Sequence, residues 1–169
     1  KWAEDYPDSV NKLYRSGFEL GTHSYNHGDY AKMSADEIKA DMEKCDAIIQ
    51  RITGEKPTIV RAPSGSYNNT AVRTVENSGR MCIQWSVDGL DYIETTTNEI
   101  YNRVVPQTEA GDIILLHNGT NLTAKALPDI IKNLKTNYEL VNVSDLIYKE
   151  NYKIDHAGRQ YKKEEVSQL

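Results

Sequence analysis

Four side chains in this sequence are of kinds that hold metals or move protons, and they stand where a fold could gather them: His23, His27, Asp91 and His117. His23 and His27 are four residues apart, just after the short apolar run Phe18 to Gly21. On a helical turn that spacing points both imidazoles to one side, as metal coordination needs. Imidazole suits zinc, cobalt, nickel and ferrous iron. An HxxxH pair is common by chance, so its place at a strand end carries more weight than its spacing. His117 closes the apolar run that starts at Asp112, a place for a general acid or base rather than a surface residue. A lone strand-end histidine is usually structural. Three on one predicted rim are harder to explain that way. The fourth histidine, His156, lies in a polar tail.

Asp88 and Asp91 follow the apolar run that ends at Trp85. Asp88-Gly89 is a good turn pair, which accounts for Asp88 without chemistry. The functional reading is a carboxylate that orients or charges a catalytic histidine. Arg61 ends another apolar run, where it could grip a carboxylate bidentately or form a structural salt bridge. Ser64 invites a serine-hydrolase reading, but Ala62-Pro63-Ser64-Gly65 lacks the first glycine of a nucleophile elbow. A proline directly before the serine does not suit that strained turn either.

These residues need a scaffold of alternating strands and helices. A helix is predicted over residues 7–16, stopped by Gly17, followed by a short strand at Phe18–Gly21. Ser34-Ala35-Asp36-Glu37 is a capping box. Ile38, Met42, Cys45, Ile48, Ile49 and Ile52 continue it at helical spacing to Gly54, which places Cys45 on a core face. Thr58–Arg61 and Met81–Trp85 read as strands around a helix over 69–78, with Cys82 also in the core. A polar loop over Ser86–Thr96 leads to a helix from Thr97 that ends by Gly111. Asp112–His117 reads as a strongly buried strand, 124–136 as a helix, Glu139–Val143 as a last strand and Ser144–Lys149 as a short helix. Near-continuous apolar strands between helices imply an α/β fold with a parallel sheet buried on both faces, either open or closed into a (β/α) barrel. In either form, chemistry gathers at the carboxyl ends of the strands. Residues 1–149 form the domain, and 150–169 read as a polar tail or appended helix.

Composition excludes several classes. The 169 residues carry a net charge of -5 and no basic patch, which argues against a nucleic-acid partner. Apolar runs are too short for a transmembrane segment. Two cysteines make neither a disulfide scaffold nor a CxxC metal site. Eleven tyrosines against one phenylalanine suit amphipathic ligands such as sugars, although half-buried core edges use tyrosine in the same way. The first residue is Lys1, so the chain reads as processed, truncated or cleaved, and the sequence shows no signal peptide.

Four segments in this order, His23-Ser24-Tyr25-Asn26-His27, Arg61-Ala62-Pro63-Ser64-Gly65, Asp88-Gly89-Leu90-Asp91-Tyr92 and Leu115-Leu116-His117-Asn118, resemble the polysaccharide deacetylases with the NodB-homology domain, carbohydrate esterase family 4. The likeness runs from about Lys1 to Ile147 and is greatest to bacterial members acting on peptidoglycan or related N-acetylated glycans. It implies a distorted (β/α) barrel and a divalent metal, zinc above all, with cobalt, nickel or iron as alternatives. By resemblance, His23 and His27 are the metal ligands, and Arg61 holds the catalytic base. Ser64 contributes a backbone N–H to the oxyanion hole, Asp91 tunes the histidine, and His117 is the general acid. Tyr92, where the family usually has tryptophan, and Leu116 line the acetyl pocket. The partner implied is an N-acetylated glycan, and the location is secreted or at the cell surface.

One departure is large. The family's Thr-Phe-Asp-Asp motif, which supplies the base and a third metal ligand, does not occur in these residues. The expectation is a barrel incomplete at its N-terminal end and inactive alone, with weak metal binding. The edge near Phe18–Gly21 would then be covered by a second chain, a swapped segment or the tail. Two other classes compete. A non-catalytic glycan-binding module would not need His23, His27, Asp91 and His117 together. A zinc peptidase or amidase would leave Arg61 and the Asp91–His117 pair unexplained.

Overall fold

A computed structural model describes residues 1–94 and 96–163. The chain opens with helices α1 (Trp2–Asp5) and α2 (Pro7–Arg15), the second started by a proline in its first turn. Helix α3 (Ala35–Thr53) begins at the predicted capping box: Ser34 Oγ accepts from the Glu37 N–H, and the Glu37 carboxylate accepts from the Ser34 N–H. It ends at Gly54, whose φ of 85° only glycine adopts cheaply. Strand β1 (Ile59–Val60), helix α4 (Asn69–Asn77) and strand β2 (Met81–Cys82) make one β-α-β unit. Strand β3 (Val87–Asp88), helix α5 (Thr97–Val104) and strand β4 (Ile114–Leu115) make a second, followed by α6 (Asn121–Leu134) and α7 (Val143–Leu146). The chain continues into β5 (Tyr152–Ile154) and β6 (Gln160–Lys162).

The pairings are parallel where the sequence demands it. Ile59 stands opposite Met81 in β1–β2, and Val87 opposite Ile114 in β3–β4. On the other side of β1, Thr22 makes a single parallel bridge to Val60. The carboxyl ends of these segments therefore lead directly into His23, Arg61, Gly89 to Asp91, and Leu116-His117. Two cores hold the units. Tyr30, Ile38, Met42, Val60, Ala62, Ala71 and Val75 pack between α3, α4 and β1, and Val87, Ile100, Val104, Ala126, Ile130 and Leu134 pack between α5, α6 and β3. Each large side chain buried here contributes about 1.5–3 kcal/mol. Cys45 is buried and Cys82 packs against the first core, both as free thiols.

Several expectations are corrected. No strand forms over residues 18–21, where only the Thr22 bridge remains. None forms over 139–143 either. There the Glu19 N–H donates to the Asn142 side chain (3.2 Å), and the Glu19 carboxylate accepts from the Ser144 N–H (3.0 Å) and hydroxyl. Side chains rather than a backbone ladder join these two segments. The segment after Gly17 is met by residues 142–144 of the same chain, while Phe18 stays 58% exposed. Strand β3 lies inside the predicted loop 86–96, and the segment Asp112–His117 is half-buried to exposed rather than strongly buried. Its ladder has one partner, β3, among the described residues. Residues 152–162 form an antiparallel hairpin in place of a helix or a covering tail, with Tyr152 opposite Lys162. The last six residues of the predicted tail lie outside the described residues.

Candidate active site

His23 and His27 do not sit on a helical turn. They bracket an irregular loop in which Ser24 (φ 66°) and His27 (φ 58°) are both left-handed. The loop nevertheless brings the two rings edge to face, with centroids 5.0 Å apart. His23 Nδ1 lies 2.8 Å from the Arg61 carbonyl. A carbonyl only accepts, so Nδ1 carries the proton and Nε2 keeps its lone pair. Desolvation lowers the His23 pKa, the hydrogen bond to the Arg61 carbonyl opposes that, and the fields of His27, Arg61 and His117 add to the lowering. The result favours the neutral imidazole. A backbone carbonyl that orients a neutral histidine is the usual support of a metal-binding imidazole. The pair therefore fits a divalent cation as two of its ligands. Among the described residues, no group of three or more His, Cys, Asp or Glu side chains stands together around such an ion.

Asp91 is buried, 2% exposed, and is surrounded by donors. Its Oδ1 lies 2.7 Å from His117 Nδ1, and its Oδ2 accepts from the His117 backbone N–H (2.7 Å) and the Thr123 hydroxyl (2.6 Å). Burial pushes the Asp91 pKa up, but the hydrogen bonds from Thr123 and His117 outweigh it and hold the carboxyl below its ordinary value. An ionised carboxylate can only accept, so His117 Nδ1 carries a proton and Nε2 faces away from Asp91. The Tyr92 ring packs edge-on to His117 at 5.2 Å and is 61% exposed, an aromatic wall at the mouth of the site. Leu116 lies against Gly89, where an added Cβ would come within 2.5 Å of the leucine Cδ2. Asp88 accepts from the Leu90 N–H at 2.9 Å and belongs to the turn, as its pairing with Gly89 predicted.

Arg61 places its guanidinium 5.8 Å from the Trp85 ring centroid, and its Nε is buried without a partner among the described residues. An orphaned guanidinium nitrogen in a buried spot suits a carboxylate. Ser64 is exposed and left-handed (φ 54°) within the 3₁₀ turn Pro63–Gly65. Gly65 (φ 62°) lies so close to Trp85 that a Cβ would meet its ring at 2.6 Å. The turn is tied to the histidine loop through Asp29, which accepts from the Ser66 hydroxyl at 2.6 Å.

The structure thus brings His23, His27 and Arg61 together, and joins Asp91, Tyr92, Leu116 and His117 in a second group. Sequence reasoning missed Thr123, Trp85 and Asp29. Thr123 lies in the first turn of α6, where its N–H donates to the N-cap Thr120, and it carried no signal of its own in the sequence.

The sequence pattern of the family described as polysaccharide deacetylase matches residues 1–83. A Bacillus cereus protein called peptidoglycan-N-acetylglucosamine deacetylase is 33% identical over 83% of this chain and 68% of its own length. The peptidoglycan-N-acetylmuramic acid deacetylase PdaC of Bacillus subtilis is 32% identical over 83% of this chain and 30% of its own. Among solved structures, a CE4-family pseudoenzyme from Bacillus anthracis superposes with a TM-score of 0.81 at 28% identity, covering 86% of this chain and 52% of that one. The chain spans about half the length of several relatives it matches, with 50%, 46% and 55% covered in three of them. The backbone likeness accounts for the β-α-β units as parts of a NodB-type (β/α) fold. With a third of the residues shared across two thirds of an established deacetylase, this chain belongs to the polysaccharide deacetylase family.

Proposed function

We propose that residues 1–149 carry the metal-dependent removal of N-acetyl groups from a polysaccharide, peptidoglycan or a chitin-like glycan, outside the cell or at its surface. The observation that carries this reading is His117, with Nδ1 fixed by buried Asp91 and its ring facing the exposed Tyr92 wall. A divalent metal at His23 and His27, zinc first and cobalt, nickel or iron as alternatives, would supply Lewis-acid polarisation of the acetamide carbonyl. The Ser64 backbone N–H donates to the oxygen on which charge develops. Tyr92 and Leu116 enclose the acetyl methyl. Arg61 holds the carboxylate that takes a proton from the attacking water. His117 Nε2 gives a proton to the sugar nitrogen as the C–N bond breaks. Water has then been added across the amide, leaving acetate and a free amino sugar.

Both the proton-accepting carboxylate and a third metal ligand must come from outside the residues named here. By the family resemblance, a Thr-Phe-Asp-Asp-bearing segment would supply both. Acetate release from N-acetylated glycan oligomers with zinc tests the reading. Release is expected once that segment is supplied, and His117→Ala is expected to lower it by about 10²–10⁴-fold. The likeness to a pseudoenzyme supports a second reading, a glycan-binding module. Zinc binding and glycan retention without acetate release would favour it over hydrolysis. No helix among the described residues is long and apolar enough to cross a membrane, and the net charge of -5 is unsuited to nucleic acid.

A further inference from the structure

Helix α3 faces the His23–His27 loop with a row of polar atoms that the reaction does not use. Asp46 is 2% exposed. Its Oδ1 accepts from the Thr22 hydroxyl at 2.5 Å, and its Oδ2 pairs with the buried Arg80 and lies 3.9 Å from Lys56 Nζ. Cys45, next to it, is a buried free thiol. One turn earlier, both Asp41 oxygens lie 3.1 Å from the Tyr25 N–H, and Oδ2 also accepts from the Tyr30 hydroxyl at 2.9 Å. Lys44 Nζ sits 3.8 Å over the Tyr25 ring. Residues 22 and 25 therefore meet 46 and 41 in order, the loop running antiparallel to the helix.

The two partners differ in length. From Asp41 to Asp46 a helix advances about 7.5 Å. From Thr22 to Tyr25 an extended chain would advance about 10 Å. Left-handed Ser24 takes up the difference, and its Oγ accepts from the Gly28 N–H at 3.2 Å to hold the curl. A non-glycine residue in that region is strained, so the conformation persists only if something imposes it.

We infer that Asp41 and Asp46 are positioning residues, and that α3 acts as a template forcing the loop between Thr22 and Tyr25 into the curl that turns His23 and His27 toward one metal ion. The inference rests on the proposed metal-binding role of those histidines. It extends that role to residues that touch neither substrate nor metal.

The test is zinc affinity by competition with a chromophoric chelator, together with urea unfolding of the metal-free chain. Asp41→Ala is expected to weaken zinc binding by about tenfold, the size seen when outer-shell partners are lost. Thr22→Val, which keeps volume and removes only the hydroxyl on Asp46, is expected to weaken it by a smaller factor. Glu43→Ala removes the same charge from the exposed face of the same helix and should leave affinity within twofold. Cobalt absorption of the folded variants should change in intensity for the first two and not the third. Unchanged zinc affinity and cobalt spectra in Asp41→Ala and Thr22→Val, with lowered urea midpoints, would reduce both carboxylates to structural roles and overturn the template. If the parent chain binds no zinc, the metal reading falls and the template with it. If the variants lose zinc as expected but the completed domain releases no acetate, the template stands and hydrolysis falls.

Discussion

Asp91 offers two oxygens to three donors, and every donor belongs to the second half of the site. Removing that carboxylate strands the Thr123 hydroxyl and the His117 N–H groups where water reaches poorly. Asp91→Ala is therefore expected to cost about 1–3 kcal/mol in urea unfolding at neutral pH. The same carboxylate gives an acid signature. Its folded pKa lies below the ordinary 3.8, so its contribution is complete above that value and disappears as pH falls through the depressed folded pKa. Asp91→Asn has no such proton to take up. The stability gap between parent and Asp91→Asn should narrow as pH drops below 3.8, and a gap that stays constant into acid would show that Asp91 is not ionised in the fold. Arg61 differs in kind, since its orphaned Nε awaits a partner that the described residues do not provide.

Among the elements, α3 does two jobs. Its inner face fills the first core with Ile38 and Met42, and its flank carries Asp41 and Asp46 to the histidine loop. Its N-terminus depends on a reciprocal pair, Ser34 and Glu37. Ser34→Ala should cost about 1 kcal/mol and lower the melting temperature by about 2–4 °C, measured by circular dichroism. An unchanged melt would mean that packing of α3 alone fixes its start. Helix α5 repeats the device with Thr96 and Glu99, whereas α4 starts at Asn68, whose side chain accepts from the Ala71 N–H.

At the scale of the molecule, Glu19 joins segments 125 residues apart. Its carboxylate holds the Ser144 backbone and hydroxyl, and its own N–H is held by Asn142. This contact brings Glu19 together with residues 142–144. Glu19→Ala should raise amide hydrogen exchange across 142–146 while leaving the urea midpoint nearly unchanged, because the contact is local and half-solvated. A large midpoint shift would mean that closure through Glu19 is cooperative with the whole fold.

The helices, the β-α alternation and the chemical types at the site were legible in the sequence, because they depend on local rules. Capping at Ser34, a stop at Gly54 and apolar spacing from Ile38 to Ile49 act within a few residues and appear in the structure as read. Arg61 and His117 follow runs read as strands that do form, whereas His23 follows a single bridge at Thr22 and Asp91 follows β3, a strand inside a segment read as loop. Strand pairing did not follow, because it depends on partners far along the chain. Leu140 and Val141 have strand character, yet they stay exposed, and the chain beside them is held through Asn142 and Ser144 to Glu19. The geometry of the histidine pair was also a tertiary decision. Four-residue spacing suggested a helical turn, but a loop with left-handed Ser24 and His27, in which Thr22 and Tyr25 bond to Asp46 and Asp41, brings the rings together instead. Thr123 lies outside the motifs that carry the chemistry, and only folding shows that its hydroxyl completes the shell of Asp91.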